Sequence, residues 1–284
     1  MMLAGCAFLL VALLVLPDQA AQAAREAIFV WGLDVAPSLF PYMVLCRTLT
    51  ARLRTRRIPA HIVAAGLGLM GGSPSGAAGV SVCAQREGLS RRQVLPLAAL
   101  TGTLSPMFLL STLRGWTGDV RLCRLLTVSH ILGALFAFAV VRLYAGKSAR
   151  PHPACGPTDG AQANPIAESV QAILSVGGCI VFFSVLAAIV RLLIPHLPDS
   201  AAAVLHAVLE VAGGARALAH APFDPPVRAV LLAAACGFTG LSILSQNLLF
   251  FRSLGVRFSH LLVIGVLRAI GAGAAMACLM LVVP

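Results

Sequence analysis

The sequence predicts an all-α, polytopic integral membrane protein of about eight membrane segments. Two of them are broken or re-entrant hairpins in two related halves. Hydrophobic residues make up 59% of the 284 and charged residues only 11%, against the usual quarter in soluble domains. Mean hydropathy is +0.92. The uncharged stretch 58–85, IPAHIVAAGLGLMGGSPSGAAGVSVCAQ, carries the helix-breaking run Gly71-Gly72-Ser73-Pro74-Ser75-Gly76 at its middle and arginines at both ends.

At ~20 apolar residues per spanning helix, the membrane segments are 1–17, 35–46 with its flanks, 58–85, 93–113, 125–141, 169–190, 229–251 and 269–284. They leave no room for a separate soluble domain. The formal charge of +11 sits in short loops between apolar runs and forms no aromatic-interleaved patch, so it indicates topology and anionic lipid, not nucleic acid. The expected surroundings are a lipid bilayer. The eight cysteines show no CxxC pairing, and all but Cys155 lie in or beside apolar segments. They indicate neither a disulfide framework nor a metal site, and no cofactor is expected.

Residues 1–27 form an N-terminal membrane segment and connector. The apolar run to Leu16, followed by Ala21-Gln22-Ala23, also reads as a cleavable signal, but no positive charge precedes the run. The first half covers 28–144. Its first helix, Ile28 to Cys46, carries Pro37 and Pro41 and is expected to kink or begin late. The stretch 58–85 follows, with Arg52, Arg54, Arg56 and Arg57 before it and Arg86, Arg91 and Arg92 after it. Dense arginine in short loops marks the cytoplasmic side, and a hairpin keeps both clusters there where a simple span separates them. Val94 to Leu113 then goes out, and Leu125 to Val141 returns toward Arg142, Lys147 and Arg150.

Residues 145–168, with Pro151, Pro153, Pro157 and Pro165, read as a polar linker. The second half, 169–284, opens with Ser169 to Val190 and continues through Ala201 to Ala219 into the broken segment 229–251. It closes with a helix from about His260. The interruption Gly237-Phe238-Thr239-Gly240-Leu241-Ser242 matches Gly68 to Ser73 in G-x-x-G-x-S spacing, and broken segments at corresponding places in two halves point to a transporter's site. If 201–219 spans, both breaks open from one side; if it does not, the halves are inverted repeats.

Irregular backbone at membrane depth survives only where protein buries it or it lines a wet cavity, because each unpaired peptide group in hydrocarbon costs several kcal/mol. The breaks are therefore the candidate binding site. Gly71, Gly72, Ser73, Pro74, Ser75 and Gly76 offer backbone donors and acceptors, and the helix starting near Ser75 aims free N–H groups at the break, which suits a carboxylate. The alternative is a glycine-lined helix crossing with a proline kink. Thr101, Thr103 and Ser105 enter Pro106, with Thr101 and Ser105 on one helix face, either as ligand donors or as repair for carbonyls freed by the proline. His130 reads as a proton carrier or substrate donor, or as a hydrogen-bonded structural histidine. Thr239, Ser242, Gln246 and Asn247 supply polar groups at the second break. Glu210 and Arg268 are the ionisable residues placed deepest, where a charge costs about 2.5–3.5 kcal/mol. Arg268 either grips an anion through its fork of donors or pairs with Glu210.

Several motifs occur in an order resembling one family. Leu39-Phe40-Pro41-Tyr42 is similar to an L-F-P-F motif, Gly72 to Ala77 to G-x-P-x-G-A, and Thr101 to Phe108 to T-x-x-S-x-P-x-F. Ser129-His130 with Gly133, then Gly177-Gly178, Phe182 to Leu186, Leu209-Glu210-Val211 and Gly240-Leu241-Ser242 follow in sequence. These resemble the YlbJ-type sporulation integral membrane proteins, of the nucleoside-recognition or Gate type. The chain departs from that pattern at Ile243-Leu244-Ser245-Gln246, where the family has V-H-A-Q, and in lacking a histidine between Arg268 and Gly271. The resemblance implies a Gate-type helical fold, a place in endospore formation and transport of a small polar, anionic metabolite such as dipicolinate.

A carrier is the first expectation and a non-transporting scaffold for spore-envelope assembly the alternative. An enzyme is not expected, since no HExxH, GxSxG or paired membrane aspartates occur. The oligomeric state stays open, a homo-oligomer included.

Overall fold

The computed structural model describes residues 2–52, 58–146, 164–194 and 196–282. Arg54, Arg56 and Arg57 of the first arginine cluster, Lys147, Arg150, Cys155 and most of the polar linker lie outside them. Among the described residues the fold is all helical. Helix α1 (Met2–Val15) bends at Leu16 into α2 (Pro17–Phe29), which runs through a π-helical stretch (Val30–Val35) into α3 (Ala36–Arg52). The short helices α4 (Ala60–Gly71) and α5 (Ser75–Arg86) follow, then α6 (Arg91–Thr101), a second π-helical stretch (Phe108–Thr112), α7 (Leu113–Thr117) and the long α8 (Val120–Ala145). The second half holds α9 (Pro165–Leu193), α10 (Asp199–Leu209), α11 (Val211–His220), α12 (Pro225–Phe238), α13 (Gly240–Phe251) and α14 (Phe258–Val282).

Five stretches are long and apolar enough to cross a bilayer: Pro17–Leu49, Val120–Ala145, Pro165–Leu193, Pro225–Leu254 and Phe258–Val282. This replaces the eight segments expected. The run 93–113 does not form one helix, because α6 stops at Thr101 and the chain is non-helical through Ser105. Thr101 and Ser105 therefore share no helix face. The helix does not begin late at Pro37 and Pro41. One continuous helix passes both, with the π-helical turn just before Pro37 and Pro41 inside α3. Stretch 201–219 divides at Glu210, whose extended backbone (φ −143°, ψ 120°) separates α10 from α11. The Ala21–Ala23 stretch lies inside α2.

The element order repeats. A long helix, a pair of short helices, a broken helix and a second long helix occur as α2–α3, α4/α5, α6–α7, α8. They recur as α9, α10/α11, α12–α13, α14. The two G-x-x-G-x-S interruptions do not correspond in this order. The tip at residues 72–74 is the counterpart of Glu210, and the break at 102–105 is the counterpart of Thr239-Gly240. The spacing match was local and carried no information about which element each break belonged to.

Close approach of backbones holds the two halves together. Helices α8 and α14 cross where a Cβ on Gly133 would stand 2.7 Å from both the Arg268 carbonyl oxygen and the Ala272 nitrogen. Gly271 faces Gly133 in return, its own Cβ position 3.1 Å from the Gly133 Cα. Small residues at such crossings let dispersion contacts replace a hydrophobic drive that lipid does not supply. His130 stands ten residues after Val120 and Arg268 ten after Phe258, each three before its crossing glycine, so the two occupy matching places. Across the other side, the Trp31 indole N–H donates to the Ile173 carbonyl (3.1 Å), fixing the first long helix on α9.

The outer ends of α4 and α5 are clasped together. Glu87, just after α5, accepts from the Ala60 (2.9 Å) and His61 (3.3 Å) backbone N–H groups and pairs with the His61 ring. Its carboxylate thus caps the N-terminus of α4 across the pair. At the same end Gln85 donates to Ser253 (2.9 Å), and Arg47 pairs with Glu168 (2.5 Å). The ion pair itself is half exposed and worth little, so the cap dominates. Glu87→Ala is expected to destabilise the folded protein by about 0.5–2 kcal/mol, read as a lower melting temperature in detergent. An unchanged melt disproves the clasp.

Candidate functional site

Both short-helix tips nest on helix breaks, and the two nests meet. At the first, Gly72 adopts φ +68°, ψ −177°, and Ser73 donates its backbone N–H to the Thr103 carbonyl (2.7 Å). The Ser73–Pro74 bond is cis. At the second, Gly240 (φ +74°) lets the tip approach: a Cβ there would sit 3.0 Å from the Val211 nitrogen and 3.4 Å from the Glu210 Cα. Thr239 is the sole described non-glycine residue with positive φ (+70°), in the left-handed region that threonine rarely enters.

Between the nests lies a cavity of about 30 Å³. Ser73, Ser105, Glu210, Ser242 and Gln246 supply its polar wall, and Val35, Leu39, Phe108, Val176 and Ile180 its apolar wall. Such a volume suits one or two water molecules. It is too small for a ring-sized metabolite, so this conformation is closed around the site.

Behind the wall, residues from both halves are tied together. Ser73 Oγ donates to Asn247 Oδ1 (2.6 Å). The Arg268 guanidinium donates to the Gly102 carbonyl at the first break and to Thr239 Oγ1 (3.1 Å) at the second. The Thr239 hydroxyl in turn donates to the Phe238 carbonyl (2.5 Å). Arg268 is 1% exposed and Glu210 is 1% exposed, yet they form no ion pair with each other. Glu210 instead caps α11, its carboxylate oxygens accepting from Ala212 (2.7 Å) and Gly213 (2.6 Å) backbone N–H groups. The pairing alternative for Arg268 is thereby replaced by two separate roles, an uncompensated cation stapling two breaks and a carboxylate on a helix N-terminus. A buried ion without a counter-ion costs several kcal/mol.

Several buried atoms have no hydrogen-bond partner: Arg268 Nε, Gln246 Oε1 and Ser75 Oγ. Buried polar groups are nearly always satisfied, and each exception costs about 1–3 kcal/mol. His130 is buried beside the Leu104 backbone, and both readings of it stay open. Thr101 Oγ1 donates to Leu97 O (3.0 Å) and Thr103 Oγ1 to Leu100 O (3.2 Å), both carbonyls near the end of α6. Ser105 Oγ accepts from the Phe108 N–H (3.2 Å) while facing the cavity. Gly71 packs near Cys46 of α3, and Gly76 packs against Gly68 of α4, so neither reaches the cavity.

Sequence reasoning missed the break at Gly102-Thr103-Leu104-Ser105-Pro106, although a glycine stop followed four residues later by a proline restart is a legible signal. It also missed Asp34, in the first π-helical stretch. Its carboxylate accepts from the Trp116 indole (2.8 Å) and its carbonyl from Thr112 Oγ1 (3.2 Å), which joins the two π-helical stretches. His206 was missed as well. It lies one turn before Glu210 on α10, its Nε2 3.4 Å from Ser184 Oγ.

A multi-pass, all-α integral membrane protein is what the spans and the buried polar site define. The chain is similar to the sporulation integral membrane protein YlbJ of Bacillus subtilis (strain 168), with 23% identity over 311 aligned positions, covering 89% of this chain and 76% of that protein. That similarity supports a relationship at the level of the YlbJ family. No family model matches the chain and no solved structure matches it.

Proposed function

We propose that the protein carries a small anionic metabolite of the dipicolinate type across a membrane during endospore formation, by rearranging broken helices and without covalent chemistry. The single observation behind this reading is the Arg268 guanidinium, buried without a counter-ion and bonded at once to both helix breaks that flank the cavity. A site that pays for an unpaired cation at depth suits an anion, which supplies the missing charge.

The short-helix pairs act as re-entrant hairpins in this reading. The 12-residue α4 and 11-residue α10 are ~16–18 Å long at 1.5 Å per residue, about half of a ~30 Å hydrocarbon core. Arginines 86, 91, 252 and 257 gather at the end where α4 and α5 are clasped, the cytoplasmic end by the positive-inside bias. Hairpin α10/α11 enters from the other end, where Arg191 pairs with Asp199 (2.6 Å). The halves are then inverted Gate-type repeats, and alternating access is the opening of one hairpin tip or the other from its break. Arg268 holds both tips' breaks closed, and an arriving anion competes for its donors.

Uptake of labelled dipicolinate into proteoliposomes, beside a nucleoside and an unrelated anion, tests this. Saturable dipicolinate flux is expected, falling to background in Ser73→Leu, which fills the cavity wall and removes the bond to Asn247. No flux of any substrate, with the Ser73→Leu protein still supporting sporulation, replaces the carrier by a scaffold.

A further inference from the structure

The carrier reading leaves one buried ionisable cluster unused. Glu210 lines the cavity. His206 lies four residues earlier, one helical turn from it, and its carbonyl accepts the Glu210 N–H (2.7 Å). A Cβ placed on Gly213 would meet His206 Nε2 at 2.7 Å and Glu210 Oε2 at 3.2 Å, so ring and carboxylate flank the same glycine hydrogen. Only a glycine at 213 leaves the space between them open. The same Nε2 stands 3.4 Å from Ser184 Oγ of α9, and the ring is within electrostatic reach of Glu26 on α2. Glu26 is exposed and accepts a hydrogen bond from Gln22 (3.0 Å). An ordered series of titratable groups thus runs from the protein surface at Glu26, through partly buried His206, to fully buried Glu210 at the cavity.

We propose that His206 and Glu210 form a proton-conducting and proton-binding pair that couples anion movement to proton movement; this rests on the carrier reading. A proton from water beside Glu26 adds to the His206 imidazole, making it a cation. The ring then loses an N–H bond as a Glu210 carboxylate oxygen gains an O–H bond, and the imidazole returns to neutral. Water admitted to the cavity from the opposite side takes the proton and leaves the carboxylate.

The same step moves a structural element. As a carboxylate, Glu210 holds the Ala212 and Gly213 N–H groups that begin α11. Protonation removes the charge from those bonds and turns one oxygen into a donor, which weakens the cap. The weakened residue is the tip that packs on Gly240, so protonation loosens the contact that closes the second break. The proton then offsets one of the carried dicarboxylate's two charges during transit, which lowers the cost of moving charge through hydrocarbon.

Other ionisable groups facing the pair are accounted for. The Cys179 thiol of α9 stands within electrostatic reach of Glu210, and Asp34 on the adjacent π-helical stretch is held by Trp116. The polar residues of α12 and α13 at the contact, Thr239, Ser242 and Gln246, are neutral. Arg268 makes its bonds to Gly102 and Thr239 and none to Glu210.

The test uses the full chain in proteoliposomes loaded with a trapped pH dye and supplied with labelled dipicolinate. With the outside more acidic by one pH unit, wild-type uptake is expected to accelerate, to accumulate the anion up to about tenfold for one proton per anion, and to acidify the lumen. His206→Asn is expected to keep exchange of internal for external dipicolinate at equal pH while losing the acceleration. Glu210→Gln is expected to abolish lumen acidification. Saturable wild-type uptake that ignores the gradient overturns the proton proposal and leaves the carrier standing. The proton proposal also falls if His206→Asn lowers flux by one factor at every gradient, since that marks a merely structural histidine. Absence of saturable uptake under any gradient overturns both.

Discussion

Arg268→Leu is expected to abolish saturable anion uptake while leaving the protein folded. The two effects separate because the guanidinium has two kinds of work. Its structural bonds join Gly102 and Thr239. Leucine leaves the Gly102 carbonyl unpaired, about 1–3 kcal/mol, but it also removes a desolvated cation with no counter-ion, which offsets much of that loss. Thr239 keeps its bond to Phe238. The site itself loses its sole buried cation among the described residues, and with it charge-assisted bonds to an anion worth about 1.5–3 kcal/mol each. Two such bonds correspond to a loss of at least about a hundredfold in affinity. Arg268→Lys keeps the charge but not the planar fork, so it is expected to recover part of the binding and lose the bridge between the two breaks. Melting in detergent and dipicolinate uptake, measured on the same preparations, decide the matter. If Arg268→Leu transports normally, the anion site is elsewhere.

Gly72→Ala is expected to be the most destabilising single-methyl change in the first half. Gly72 holds φ +68° with ψ −177°, a region essentially reserved for glycine, and a side chain there costs about 1–3 kcal/mol in backbone strain. The added Cβ would also stand 2.5 Å from the Ser105 backbone nitrogen and 3.0 Å from its Cα. Neither atom belongs to a side chain that can swing away. Overpacking of that kind adds about 1–3 kcal/mol, and relief requires lifting the tip off the break, which opens the cavity. Gly66→Ala is the control. Gly66 lies on the same helix with nothing within 4 Å of its Cβ position, so alanine there is expected to be neutral or to stabilise by up to about 1 kcal/mol. Equal melting temperatures for the two variants contradict the nested tip.

The polar half of the site was legible because each of its residues violates a local rule. Ser73, Pro74, Thr239, Ser242, Gln246 and Asn247 interrupt or decorate apolar runs, and Arg268 is a charge inside a closing helix. Each anomaly is written in its own window of sequence. What was misread depended on partners. Glu210 and Arg268 looked like a pair because both are ionisable and deep, yet Glu210 satisfies itself on the N–H groups two and three residues ahead. His206 resembles an ordinary partly buried histidine until Gly213 and Glu210 are folded beside it. The break at 102–105 hid inside a run that was apolar enough to span.

Composition and hydropathy by themselves determined the solvent, the helical class and two of the places where helices stop, at Gly72 and at Thr239. These follow from the local energetics of moving peptide and side chains into hydrocarbon. Tertiary structure alone decided which tip meets which break, that Arg268 joins the two halves, and that long helices α8 and α14 touch at Gly133 and Gly271. Arg268 and Gly102 stand 166 positions apart in the chain, and such contacts draw their strength from backbone approach at distances that only the assembled helices set. A sequence window records that an unpaired group exists, and only the packed molecule supplies its partner.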